Sequence, residues 1–460
     1  MIQLKKLILV SHLKLINLMN KFIIKNKKIR SFKGQIRVSG DKSLSLRWVL
    51  LSSIASGVSK ATNLLMSEDV IAAISAIKKL GIKVKIKKKI CKIFGKGING
   101  YSYRKNIIIN AKNSGTLGRL LLGLLIDTPH KIKLIGDKSL SRRDFKRIAE
   151  PLSKFGAKFS LNKNKGLPLT ILGTDNIKST SYIENRGSAQ CKSSVMLAAI
   201  KGKSSINIKA KKSRNHTELL FQSLKLPIKI KKSKSYDFIK IDPVSKISSI
   251  NYKIPSDISS ATFFMVLTSL SKNSALIIKD VNINPSRIGA ITILKKMGVK
   301  IFFLNKRTYK GEKIADLLIK SCKKIKPINC PAYLNSGAID EFLVIFLVAA
   351  KASGVSYFKD LAEMNQKESP RLIWGSKILN KMGIKTVLNQ NSIKIYGNPN
   401  IEIKKKIIIK NYLKDHRVFM TSVIAAYSFG GQWEIHNKDS INTSFPTFLE
   451  IVKDIENDSI

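Results

Sequence analysis

The sequence predicts an α/β protein assembled from repeated helix–strand modules, and three observations carry that expectation. Apolar residues make up 44% of the 460-residue chain, enough for a large core and too many for a disordered polymer. The length is about three times that of a typical domain, so two or more domains are expected. One local phrase, an amphipathic helix closed by Gly or Pro and followed by a β-rich run, recurs five times along the chain.

The elements follow in order. Residues 1–30 are basic and apolar, contain no acid, and lack the small-residue cleavage signature of a secretory signal. They read as an N-terminal extension, open to three readings: a start assigned too far upstream or a disordered tail, which are favoured, and a targeting peptide. Gln35-Ile36-Arg37-Val38 alternates as a strand does, and Trp48-Val49-Leu50-Leu51 is an apolar helical run. Between them lies Ser39-Gly40-Asp41-Lys42-Ser43-Leu44-Ser45-Leu46-Arg47, the order strand, tight turn, helix. Asp41 or Ser43 can cap that helix. Its free N–H groups, beside Lys42, Ser43, Ser45 and Arg47, make a site for an anion. Ser67 to Leu80 has apolar residues at Val70, Ile71, Ile74 and Ile77, which is helical spacing, with Ser67 at the cap and Gly81 as the stop.

The phrase Lys-Leu-Gly-Ile-Lys-Val at 79–84 returns as Lys154-Phe155-Gly156-Ala157-Lys158, Lys225-Leu226-Pro227-Ile228-Lys229, Lys296-Met297-Gly298-Val299-Lys300 and Lys381-Met382-Gly383-Ile384-Lys385. Successive copies lie 75, 71, 71 and 85 residues apart, and Ser444 to Ile455 supplies a sixth helix. Units of this size exceed short solenoid repeats, so each is expected to be a small α/β module.

The formal net charge of +55 would ordinarily point to nucleic acid. Its distribution argues otherwise. The chain holds fourteen arginines and seventy lysines, and the lysines alternate with Ile and Asn throughout. Lys83 to Lys89 and Ile401 to Lys406 read as strand faces turned to water. A compositional drift explains the charge better than one basic groove, so no nucleic-acid partner is expected. The four cysteines, Cys91, Cys191, Cys322 and Cys330, have neither zinc-ligand spacing nor the density of a secreted scaffold, which fits a reducing cytoplasm. No apolar run approaches the ~18–20 residues of a membrane span; Phe342 to Ala350 stops at Lys351 and reads as a core helix.

Charged and polar clusters recur where helices begin. Asn113-Ser114-Gly115-Thr116 precedes a helix carrying Arg119. Arg142 and Arg143 follow Asp137-Lys138-Ser139, and Ser188-Ala189-Gln190 opens a helix carrying Lys192. Arg214-Asn215-His216-Thr217-Glu218 opens another, Asp340-Glu341 stands before Phe342, Lys367-Glu368-Ser369-Pro370-Arg371 begins the helix ending at Gly383, and Asp415-His416-Arg417 precedes Val418 to Ala426. One such cluster is only a capped helix. Many, each at a repeat's helix start, suggest N-termini aimed at a shared anionic ligand.

As an ordered set, Gly-Asp-Lys-Ser-x-Ser-x-Arg, Asn-x-Gly-Thr, Ser-Ala-Gln-x-Lys-Ser, Arg-x-His-Thr-Glu, Ile-Asp-Glu, Lys-Glu-Ser-x-Arg-Leu, Asp-His-Arg and Thr-Ser-Phe-Pro resembles the 5-enolpyruvylshikimate-3-phosphate synthase family, from about Gly34 to Ile451. The resemblance implies a two-domain inside-out α/β barrel of six βαβαββ repeats, three per domain. The domains would be 42–255, continuous, and 31–41 plus 256–455, discontinuous, with crossings near Asp41 and Ile254-Pro255-Ser256-Asp257. It implies a transferase that moves the carboxyvinyl group of phosphoenolpyruvate to the 5-hydroxyl of shikimate 3-phosphate and releases phosphate. A monomer without metal or organic cofactor is expected.

By that resemblance Lys42, Ser43, Arg47, Ser188, Gln190, Arg214, Asp340 and Lys367 hold shikimate 3-phosphate. Lys42, Gly115, Arg143, Gln190, Arg371 and Arg417 hold phosphoenolpyruvate, supported by Asn113, Arg119, Ala189, Asp415 and His416. Asp340 is the base and Glu368 the acid, with Lys42 and Lys367 as charge partners. Gly115 implies a pocket open to glyphosate. The chain departs from the family pattern at Ser39, Leu46, Asp144, Asn365, Gln366, Pro370 and Thr443; loss of an Arg at 365 removes one expected support of Glu368. Two rival readings, a decayed inactive copy and a basic nucleic-acid-binding protein, predict no phosphate release. A sister enzyme acting on UDP-N-acetylglucosamine is disfavoured by Asp41-Lys42-Ser43 and by the absence of cysteine between Cys91 and Cys191.

Overall fold

A computed structural model describes residues 20–459 as a mixed α/β molecule with two hydrophobic cores. The first core runs from Leu44 to Ile254. The second combines Ile24 to Val38 with Ile258 to Ile455. The chain therefore passes between them twice, and the two passages are tied together. Asp41 N–H donates to Pro255 O at 2.7 Å, and Asp257 N–H donates to Ser39 O at 3.0 Å.

Six sheets of three or four strands surround the cores among the described residues. The four larger ones share one pattern: a parallel pair at one side, then two antiparallel pairings. Helices fill the interior. All thirteen residues of Ile258–Leu270 are buried, and Lys42–Ser53 is buried from Leu44 onward. Such helices show no polar face because no side of them meets water.

The repeated helix stops have a common geometry. Gly81, Gly156, Gly298 and Gly383 all adopt positive φ, which lets the chain leave the helix and turn back into a strand. Pro227 cannot do this, and there Lys225 takes φ 54° instead. Ser67 occupies the cap position of Glu68–Lys79 without making a side-chain cap bond.

Two expectations need correction. The N-terminal extension was expected to reach residue 30, but Lys21–Lys25 is a strand paired antiparallel with Gln432–His436. Its alternation buries Ile24, and Ile29 is buried just beyond, so these residues belong to the second core. Residues 1–19 lie outside the described part. The segment 401–405 is not a strand either. Ile401 and Ile403 are buried and Ile403 N–H donates to Phe429 O, while ladder pairing with Gln432 begins only at Lys406. No helix among the described residues is long and apolar enough to cross a membrane.

Candidate active site at the junction of the two cores

Helix starts deliver the charged side chains to the junction. Asp41 caps Lys42–Ser53 by accepting from Leu44 N–H at 2.9 Å, which fixes the direction of the first turn. Lys42 then lies between the cores: its N–H donates to Asp257 at 2.9 Å and its ammonium sits 2.6 Å from Asp69. One turn on, Arg47 is buried and donates to Thr217 Oγ1 at 2.8 Å, Ser193 Oγ at 3.0 Å and the Ser43 carbonyl at 3.1 Å. Burial pushes its guanidinium down to about 10, against the nearby Glu218 and Asp41 charges.

A group of three arginines comes from the next units of the first core. Ser114 caps Gly115–Leu124, and from that helix Arg119 donates to Gln190 Oε1 at 2.7 Å. Gln190 in turn donates to Thr116 at 2.9 Å. Arg143 donates to Asn113 Oδ1 at 3.0 Å, and Asn113 donates to Asp137 at 2.6 Å. Arg147 donates at 2.9 Å to Ser188, the cap of Ala189–Ala199. Burial, then Arg147 and Arg143, push Arg119 down to about 10. Neutral amides and hydroxyls hold most of this positive charge, so the cluster is suited to an incoming anion.

The second core supplies the carboxylates. Arg371, 2% exposed, opens Arg371–Met382 and contacts three of them at once. Its Nη1 is 3.3 Å from Asp340 Oδ1, its Nε donates to Asp415 at 2.9 Å, and its Nη2 bonds Glu368. The other core meets the same two acids: Arg214 donates to Asp340 at 2.6 Å, and Arg143 lies 3.4 Å from Glu368. Lys367 is 3.6 Å from Asp340, and Arg417 donates to the Asp340 carbonyl at 2.6 Å. Asp415 caps His416–Phe429 through the Arg417 N–H.

These neighbours set the charge states. Burial raises the Asp340 carboxyl, but Lys367, Arg214, Arg417 and Arg371 outweigh it and hold the group well below the usual carboxylate range. Glu368 behaves alike, with Arg371 and Arg143 as the principal opposing charges. Burial pushes His416 down to about 3, so its imidazole is neutral beside Asp415.

The sequence-predicted residues therefore gather in two linked sets. Asn113, Gly115, Arg119, Arg143, Ser188 and Gln190 line one side, and Asp340, Lys367, Glu368, Arg371, Asp415 and Arg417 the other, with Arg214 reaching across. Lys42 stands beside them, engaged with Asp69. Ala189 is the first residue of its helix, and His416 Nδ1 faces Thr443 Oγ1 at 3.2 Å. Departures from the family pattern find local roles. Asn365 accepts from Leu372 N–H at 3.1 Å, satisfying a helix-start donor, and Asp144 does the same for Lys146 N–H at 2.8 Å.

Arg147, Asp69 and Arg287 were not singled out by motif. One signal could have found the arginines. In a chain drifting towards lysine, Arg persists where a planar fork is needed. Eight of the fourteen, Arg47, Arg119, Arg143, Arg147, Arg214, Arg287, Arg371 and Arg417, lie at or beside this junction.

The fold matches that of a solved enolpyruvyl transferase, NikO from Streptomyces tendae, which superposes with TM-score 0.71 over 95% of this chain and 97% of that one, at 12% identity, a likeness of fold alone. The chain belongs to the EPSP synthase family, whose model, described as EPSP synthase (3-phosphoshikimate 1-carboxyvinyltransferase), matches residues 26–452. A relative named 3-phosphoshikimate 1-carboxyvinyltransferase from Thermoanaerobacter sp. (strain X514) is 37% identical over 428 residues, 93% of this chain and 98% of the relative. The protein of that name from Ruthia magnifica is 36% identical over 438 residues, 95% and 98% of the two chains. The solved EPSP synthase from Acinetobacter baumannii superposes with TM-score 0.84 at 32% identity, covering 95% of this chain and 98% of its own.

Proposed function

We propose that the junction transfers the carboxyvinyl group of phosphoenolpyruvate to the 5-hydroxyl of shikimate 3-phosphate, releasing phosphate, in the shikimate route to chorismate and the aromatic amino acids. One observation carries the residue assignment. A single buried guanidinium, Arg371, contacts both Asp340 and Glu368, while Arg214 and Arg143 reach the same two acids from the other core.

Each substrate carries a phosphate and a carboxylate, and arginine forks pair with such groups bidentately. Arg143, Arg371, Arg417, Lys42 and Gln190 hold phosphoenolpyruvate beside Gly115. Arg47, Ser43, Ser188, Gln190, Arg214, Lys42, Asp340 and Lys367 hold shikimate 3-phosphate. In the addition, Asp340 takes the 5-hydroxyl proton as the oxygen attacks C2 of phosphoenolpyruvate, and Glu368 gives a proton to C3. In the elimination the Glu368 carboxylate takes a proton from the methyl group, the C2–O bond to phosphate breaks, the departing phosphate takes the proton held by Asp340, and the enol ether remains.

Asp340 is held ionised, as a base requires. Glu368 must hold a proton for the first half. Anionic groups that engage Arg371 and Arg143 draw off the positive field that now keeps Glu368 ionised, so substrate binding raises its proton affinity. The two cores are read as the two domains, 42–255 and 21–41 plus 256–455, and the six sheets as six related units. A cytoplasmic monomer, with no cofactor and no nucleic-acid partner, goes with this reading.

The test is phosphate release from phosphoenolpyruvate, with and without shikimate 3-phosphate. Release is expected only with both substrates, and Asp340→Ala and Glu368→Gln are each expected to cut it by about 10²-fold or more. Release indifferent to shikimate 3-phosphate, or surviving both changes, refutes the assignment.

A further inference from the structure

Behind the two acids lies a second buried charge cluster that the transfer step does not use. Its centre is Arg287, 2% exposed, just ahead of the helix Gly289–Lys296. Its Nη1 is 3.5 Å from Asp41 and 3.4 Å from His216 Nε2. Its Nη2 is 3.7 Å from Asp257 and donates to Ser259 Oγ at 2.8 Å. Asp41 and Asp257 are the caps at the two passages of the chain between the cores. Ser259 passes the contact on, donating to Glu341 Oε1. Glu341 is 1% exposed and is the residue after Asp340.

We propose that Arg287 is a positioning residue that ties both inter-core passages, through Ser259 and Glu341, to the placement of Asp340. The proposal rests on the reading of Asp340 as the base. Asp340 itself is gripped on its carbonyl by Arg417 and on its carboxylate by Arg214, one from each core. On the other side lies Glu341, whose backbone N–H donates to Ala338 O at 2.9 Å and whose carboxylate is held by Ser259 and approached by Arg417 at 4.0 Å. Glu341 Oε2 and Arg287 Nε are buried without hydrogen-bond partners. On the other face, His216 is fixed by Glu312 at 2.7 Å, and Glu312 by Asn284 at 2.9 Å, so Arg287 packs against a rigid wall across the junction.

The experiment compares Arg287→Met, Ser259→Ala and Asp340→Ala with the wild-type chain for kcat, for calorimetric affinity towards shikimate 3-phosphate, and for thermal melting. Misplacement of a reacting group by an ångström costs about 10²-fold in rate. Arg287→Met is therefore expected to lose about 30- to 100-fold in kcat, and Ser259→Ala about tenfold, while shikimate 3-phosphate affinity stays within about threefold. Arg287→Met that turns over within about threefold of wild type, or that loses affinity as much as turnover, overturns the proposal. If Arg287→Met does not fold, Ser259→Ala decides, and kcat within about twofold of wild type overturns it. An active Asp340→Ala sinks the base assignment and this proposal together. A dead Asp340→Ala beside an unaffected Arg287→Met sinks this proposal alone.

Discussion

Gly115→Ala is the perturbation whose consequence can be worked most directly from the geometry. A Cβ at 115 would stand 2.8 Å from Arg119 Nη1, 3.2 Å from Arg143 Nη1 and 3.5 Å from Leu140 Cδ1. Comfortable contact begins near ~3.5 Å, so the Arg119 tip must retreat by roughly half an ångström or more. Arg119 is also held by Gln190 at 2.7 Å and faces Phe145 at 5.1 Å, so its retreat lengthens the Gln190 bond and displaces that side chain. The fold tolerates this because the displaced atoms are ends of flexible side chains, and Ala in place of a helical Gly gains about 0.5–1 kcal/mol. The proposed phosphoenolpyruvate site does not. Loss of one charged hydrogen bond, about 1.5–3 kcal/mol, corresponds to a rise of about 10- to 100-fold in KM for phosphoenolpyruvate. Steady-state kinetics with each substrate varied should show that rise for phosphoenolpyruvate, a smaller rise for shikimate 3-phosphate through the shared Gln190, and an unchanged melting temperature. An unaltered phosphoenolpyruvate KM, or equal rises for both substrates with a drop in melting temperature, refutes the reasoning.

Three further outcomes are expected. Glyphosate should inhibit the wild-type chain competitively with phosphoenolpyruvate, and Gly115→Ala should relieve the inhibition; full activity at high glyphosate in the wild type contradicts the open pocket at Gly115. Lys192 and Glu218 form a buried ion pair at 2.5 Å, 0% and 3% exposed, under the helix start that carries Ser188 and Gln190. Lys192→Met strands the carboxylate, so a loss of about 3–5 kcal/mol, seen as a melting temperature lower by on the order of 10 °C, is expected. His416 has a folded value depressed to about 3. Its contribution is complete above the unfolded value of ~6.5 and is lost as pH falls below it, by about 2 kcal/mol at pH 5. Melting curves between pH 7.5 and 5 should show this slope, and His416→Gln should flatten it.

The parts of the site that were legible in the sequence are local. Asp41-Lys42-Ser43, Ser114-Gly115 and Ser188-Ala189-Gln190 each encode a cap and a helix start within a few residues, so short-range chemistry is enough to read them. The repeated stops at Gly81, Gly156, Gly298 and Gly383 were readable for the same reason, since each is a positive-φ turn. Contacts between distant segments were not legible. Nothing near Arg287 announces Asp41, 246 positions earlier, and nothing near Lys42 announces that its N–H meets Asp257. The strand Lys21–Lys25 was hidden because its apolar and basic residues look like the preceding extension, and only pairing with Gln432–His436 distinguishes it. At 401–405 the alternation of Ile with charge was real and buries Ile401 and Ile403, yet no ladder accompanies it. Alternation reports which face is buried and says nothing of whether a partner strand is present.

The most direct measurement of the central claim is the fate of solvent hydrogen. With phosphoenolpyruvate and shikimate 3-phosphate turned over in deuterium oxide, proton delivery to C3 followed by removal from the resulting methyl should leave deuterium in the vinyl methylene of the product, read by NMR, and Glu368→Gln should abolish that incorporation along with turnover. Product formed at full rate with a methylene free of deuterium would show that C3 is never protonated, and the roles given to Asp340 and Glu368 would fall.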